Sequence, residues 1–132
     1  MSPQALAMVF LGGGLGSVFR FALVSLIKPA SPQFPLGTLA VNLLGCALIG
    51  ALAGVLHESP LGRNSTLWLL LAIGVLGGFT TFSSLAIETA DLLREGRYGA
   101  AAAYLALSNT LGPLLALGCW WVVNPLGGGR TA

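Results

Sequence analysis

Residues 74–84 read Gly74-Val75-Leu76-Gly77-Gly78-Phe79-Thr80-Thr81-Phe82-Ser83-Ser84. They lie inside an apolar run, roughly 66–93, that otherwise has the character of a membrane-crossing helix. Two adjacent glycines weaken a helix at that point, and the hydroxyls of Thr80, Thr81, Ser83 and Ser84 follow at once. Lipid tolerates such a segment only where protein or a water-filled cavity covers it. Polar groups at that depth are costly and point to function. The run is also longer than the ~20 residues a straight crossing needs. The sequence therefore predicts a third helix broken mid-membrane, near Gly77-Gly78, into two half-helices.

Three further apolar runs surround it, at roughly 5–27, 36–56 and 99–123. Pro29, Pro32 and Pro35 form a non-helical connector after the first run. Arg94-Glu95-Gly96-Arg97 forms a tight polar turn before the fourth, and the tail from Gly127 to Arg130 reads as mobile. Only 8% of the 132 residues are charged and 55% are hydrophobic, whereas a soluble domain carries about 25% charged residues. The solvent is therefore a lipid bilayer. The expected fold is an all-α membrane protein of one domain, 1–132, with four transmembrane helices. The first run is too long for a signal peptide and has no basic residue before it. A net charge of +2 is too small to suggest nucleic acid as a partner.

Orientation is left open by the charges. Arg63 and Arg130 would face one side, and Lys28, Arg94 and Arg97 the other, which is almost no positive-inside bias. Insertion in both directions is compatible with that balance. Pairs of small residues at Gly12/Gly16, Gly50/Gly54, Gly74/Gly78 and Ser108/Gly112 favour close helix contacts and suggest a homodimer.

Several side chains could carry chemistry. A break at Gly77-Gly78-Phe79-Thr80 frees backbone carbonyls, which are hard oxygen ligands suited to Na⁺; a plain glycine kink packed on a neighbour is the alternative. Thr81, Ser84 and Glu88 share one helical face. Asn42, with Thr38 one turn before it, is either interhelical glue or an N–H donor aimed at an anion. The fourth span carries Tyr104, Ser108, Asn109 and Thr110, and Tyr104, Ser108 and Gly112 line one stripe of it. Arg20 either snorkels to headgroups or lines a wet vestibule. Cys46 and Cys119 read as packing residues. There is no catalytic triad, metal cluster or phosphate loop, so an enzyme is not expected, and a conduit for a small anion fits better.

At this point the chain resembles the Fluc (CrcB) fluoride channels. The resemblance rests on Gly12-Gly13-x-x-Gly16-x-x-x-Arg20, on Gly37-Thr38-Leu39-x-Val41-Asn42-x-x-Gly45, and on Gly77-Gly78-Phe79-Thr80-Thr81-Phe82-Ser83. It implies an antiparallel, dual-topology homodimer in the bacterial inner membrane that conducts fluoride passively and protects the cell from its toxicity. It implies a structural Na⁺ at the dimer interface, held by carbonyls matching Gly77 and Thr80. It further implies a fluoride pore lined by Asn42, Phe82, Tyr104 and Ser108, beside Thr81, Ser83 and Ser84, with Arg20 and Thr38 in a vestibule. Two positions depart from the family pattern. Leu85 stands where a second pore phenylalanine is expected, and Gly112 where a hydroxyl often continues the polar track. A small proton-coupled dual-topology exporter of the multidrug type is the alternative, but it needs a carboxylate deep in the membrane, and the first span has none.

Overall fold

The computed structural model describes residues 2–28, 33–56 and 65–124. Pro29, Pro32, Arg63 and the tail from Gly127 to Arg130 lie outside them, and so do most of the connector and one side of the charge comparison. Four helices are long and apolar enough to cross a membrane. Helix α1 is Pro3–Ile27 and α2 is Leu36–Leu56. The third crossing, Thr66–Arg94, is two helices, α3 and α4. Helix α3 starts at Thr66–Trp68, widens to π winding over Leu69–Leu76 and returns to α over Gly77–Phe79. Helix α4 is Phe82–Arg94 and α5 is Tyr98–Val123. Each terminal boundary lies within two residues of the hydropathy runs.

Local chemistry sets these ends. Ser2 caps α1 by accepting the Ala5 amide at 3.2 Å, with Pro3 in the first turn. Ser65 caps α3 in the same way, accepting from Trp68 at 3.1 Å. Helix α4 ends at Gly96, whose φ of 73° suits glycine. The Gly96 and Arg97 amides fold back to the carbonyls of Leu93 and Leu92 at 3.0 and 2.9 Å, which closes the last turn as a Schellman motif.

The break itself falls three residues later than the sequence suggests. Gly77 and Gly78 are helical, and the extended residues are Thr80 (ψ 157°) and Thr81 (φ −151°, ψ 112°). The glycines serve close approach instead. A Cβ on Gly78 would overlap the backbone of Gly13, and one on Gly74 would lie 2.9 Å from the Gly12 Cα. Thus α1 and α3 meet backbone to backbone. Gly50 likewise seats α2 against Ala116 of α5. The small-residue pairs are therefore used inside one subunit, and they cease to argue for a dimer.

Helix α1 packs on α3, α2 packs along α5, and α4 packs on α5. The small core consists of Leu39, Leu85, Leu92, Ala101 and Tyr104, with the rings of Phe34 and Tyr104 edge to face at 5.7 Å. Outward, Phe10, Phe21 and Val122 are more than three-quarters exposed. An apolar exterior around a small interior is what a bilayer, or a partner within it, would cover.

Candidate functional site

The site is built where α3 stops. In a continuous helix the Thr81 amide would bond the carbonyl of Gly77, and the Ser84 amide that of Thr80. Here Asn42 of α2 accepts from the Thr81 amide through Oδ1 at 2.7 Å, while its Nδ2 donates to the Thr81 carbonyl at 3.0 Å. The Ser84 amide turns to Thr81 Oγ1 at 3.1 Å and caps α4. The carbonyls of Gly77 and Thr80 thereby lose their helical donors. Both residues line a groove of about 360 Å³ with Asn42, Thr81, Phe82, Leu85 and Ser108.

Other groups satisfy the neighbouring break carbonyls. The Thr80 amide and hydroxyl both donate to Leu76 at 3.0 Å. The Gly78 carbonyl accepts from Arg20 Nε at 3.2 Å and from Ser17 Oγ at 3.4 Å. A guanidinium held at the C-terminal end of α3 also meets the negative end of that helix's dipole.

A second pocket, of about 290 Å³, lies behind Thr81 and is lined by Ser17, Arg20, Thr38, Thr81, Ser84 and Glu88. It adjoins a third, of about 460 Å³, which shares Thr38 and Glu88 and carries Lys28, Asp91, Glu95 and Arg97. Glu88 stands at the junction. Its Oε1 accepts from Thr38 Oγ1 at 2.7 Å and its Oε2 from Tyr104 OH at 2.6 Å. The Glu88 side chain, within the third crossing, is thus held by two hydroxyls on different helices.

The structure divides the expected site residues among these places. Gly77, Thr80, Asn42, Phe82, Leu85 and Ser108 share the groove; Arg20, Thr38 and Ser84 share the second pocket; Thr81 is the wall between them. Phe82 is 77% exposed, with its ring on the open side of the groove. Ser108 Oγ is buried and has no hydrogen-bond partner among the described residues. Ser83 is exposed and borders neither pocket, touching Thr81 Oγ1 at 3.2 Å. Tyr104 is fully buried and directed to Glu88 rather than to the groove.

Asn42 combines both sequence readings, since it joins two helices and shapes the groove wall. Ser17 carries no signal in the sequence, while Glu88 and Asn109 stand among its polar residues without being assigned to the pore. Glu88 lies near the end of the third run, where a carboxylate can reach the interface, but its shared face with Thr81 and Ser84 points inward. No three His, Cys, Asp or Glu side chains converge among the described residues. A cation at the break would therefore rest on backbone oxygen.

Residues 7–120 match the family described as CrcB-like protein, Camphor Resistance (CrcB). The chain is 43% identical over 119 residues to a fluoride-specific ion channel FluC of Phocaeicola vulgatus, covering 89% of this chain and 97% of the relative. It is 47% identical over 111 residues to one of Novosphingobium aromaticivorans, covering 82% and 86%. A third, from Thermus thermophilus, is 46% identical over 110 residues, covering 83% and 86%.

Proposed function

Since this chain belongs to the CrcB-like family, we propose that it is a fluoride-specific ion channel, a multi-pass membrane protein and not an enzyme. The observation that carries the mechanism is the Asn42–Thr81 pairing at the break, which sets a few polar groups along a largely apolar groove. Fluoride is small and strongly hydrated, so a selective passage must replace its water with donors. Ser108 Oγ, the second N–H of Asn42 and the electropositive edge of Phe82 are suited to that task.

Conduction is passive on this reading. Fluoride enters through the third pocket, where Lys28 and Arg97 offset the carboxylates of Asp91 and Glu95, passes the Arg20 guanidinium in the second pocket, and crosses beside Thr81 into the groove. Na⁺ fits the break on the chemistry of its donors. The carbonyls of Gly77 and Thr80, deprived of helical amides, are hard and neutral and would hold it. Such an ion would supply fixed positive potential beside an anion path. The proposed assembly is an antiparallel homodimer in the bacterial inner membrane, which would cover the exposed Phe82 and the open side of the groove. Export of accumulated fluoride is the proposed physiological role.

Reconstituted protein loaded with fluoride or chloride tests this reading, with efflux followed by ion-selective electrodes. Rapid fluoride and negligible chloride efflux is expected. Equal rates for the two ions, or no fluoride efflux, would overturn it.

A further inference from the structure

Asn109 lies near the middle of the crossing Tyr98–Val123, the depth at which an exposed amide is most costly. It is nevertheless exposed in the single chain and lines the groove beside Ser108. Its Nδ2 donates once, to the Leu105 carbonyl at 2.8 Å. An amide nitrogen carries two hydrogens, so a second N–H and the side-chain oxygen remain uncommitted among the described residues.

The backbone points to the same place. Pro113 lies inside α5, and proline has no amide to give the carbonyl four residues earlier. That carbonyl belongs to Asn109. Side chain and backbone thus each lack a usual partner at one mid-membrane position, in a residue that lines the groove. Thr110, its neighbour, differs: its hydroxyl is taken by the Ala106 carbonyl at 2.6 Å, and it does not line the groove. One turn on, Gly112 is buried, and a Cβ there would lie 3.2 Å from Cys46 Sγ. The next turn of the stripe offers the groove no donor.

Resting on the channel reading, we propose that Asn109 is a further selectivity-determining residue that contacts fluoride in the groove through its second amide N–H. Its unmatched carbonyl suits a water travelling with the ion. Ser108 and Asn109 together form the donor pair of α5, and they line the same groove as Asn42.

The test compares wild type with Asn109→Leu and Asn109→Gln in proteoliposomes, alongside gel filtration in detergent. Losing one hydrogen bond to an anion predicts roughly tenfold or greater loss of fluoride efflux in Asn109→Leu. Its elution volume should not change, and its fluoride-to-chloride ratio should fall. Asn109→Gln keeps a donor and should stay within about threefold of wild type. Undiminished efflux in Asn109→Leu, or equal losses in both variants, overturns the proposal. A shift of Asn109→Leu to a smaller species also overturns it, because Asn109 would then be subunit glue. A wild type that carries no fluoride removes the channel reading, and this inference with it.

Discussion

Asn42 holds Thr81 at both ends of its backbone, accepting from the amide at 2.7 Å and donating to the carbonyl at 3.0 Å. One side chain on α2 therefore fixes the two-residue gap between α3 and α4. Asn42→Leu leaves both groups without that partner inside the protein, a cost of about 1–3 kcal/mol for each unsatisfied group. The Thr81 amide then regains access to the Gly77 carbonyl. Asn42→Leu should abolish fluoride efflux and also weaken any stabilisation by Na⁺. Thermal unfolding in detergent with Na⁺ or N-methylglucamine checks the second effect. A Na⁺-dependent shift equal to that of wild type would separate Asn42 from the cation site.

Arg20 carries the one strong charge of α1, and its Nε is committed to the Gly78 carbonyl at 3.2 Å. The rest of the guanidinium borders the second pocket with Thr38, Thr81 and Ser84. Arg20→Gln removes the charge that draws an anion in. Efflux should fall several-fold, and the deficit should be larger at low ionic strength, where screening is weak. Arg20→Lys should recover most of the loss. A salt-independent deficit would assign Arg20 to holding the break alone.

What the sequence revealed, and what it hid, follows from the range of each interaction. Hydropathy located four crossings because lipid demands long apolar runs. The hydroxyl run announced a break. Its position was misjudged because glycine weakens a helix locally yet also admits a neighbouring backbone, and only the packing of Gly78 on Gly13 decides between them. Glu88 was hard to place because its partners, Thr38 and Tyr104, come from helices distant in sequence. Asn109 is visible as a polar residue of the fourth span but falls off the stripe of Tyr104, Ser108 and Gly112; what marks it is groove geometry together with a proline four residues later.

Two glycines on α1 make a matched pair for testing the packing. A Cβ on Gly16 would overlap the carbonyl of Val75, whereas one on Gly14 meets nothing within 4 Å. Gly16→Ala should destabilise the fold by about 1–3 kcal/mol or more through overpacking. Gly14→Ala should be neutral, or stabilising by up to about 1 kcal/mol through helix propensity. Thermal midpoints in detergent give the comparison. A severe defect in Gly14→Ala would mean that a partner subunit closes on that face.

Glu88 separates a channel from a proton-coupled carrier. Its two oxygens accept from Thr38 and Tyr104, which suits a fixed group rather than one that exchanges a proton in each transport cycle. Tyr104→Phe leaves Oε2 without its donor, a loss of about 1.5–3 kcal/mol for a bond to a charged group. Lowered thermal stability is expected, with fluoride efflux independent of an imposed pH gradient in wild type. Transport that follows the gradient and stops in Glu88→Gln would favour the exporter.

Leu85 belongs to two environments at once. It is only 5% exposed and packs in the core cluster with Leu39 and Tyr104, yet it also borders the groove beside Phe82. A phenylalanine there has two places to go. Kept in the core, the ring overpacks the cluster and costs about 1–3 kcal/mol. Turned to the groove, it narrows the passage but adds an electropositive edge close to that of Phe82. The groove is the open side, so Leu85→Phe should leave the thermal midpoint nearly unchanged and alter the single-channel fluoride current. Identical currents with a lowered midpoint would place the new ring in the core, and would mean that position 85 acts on the groove only by supporting its wall.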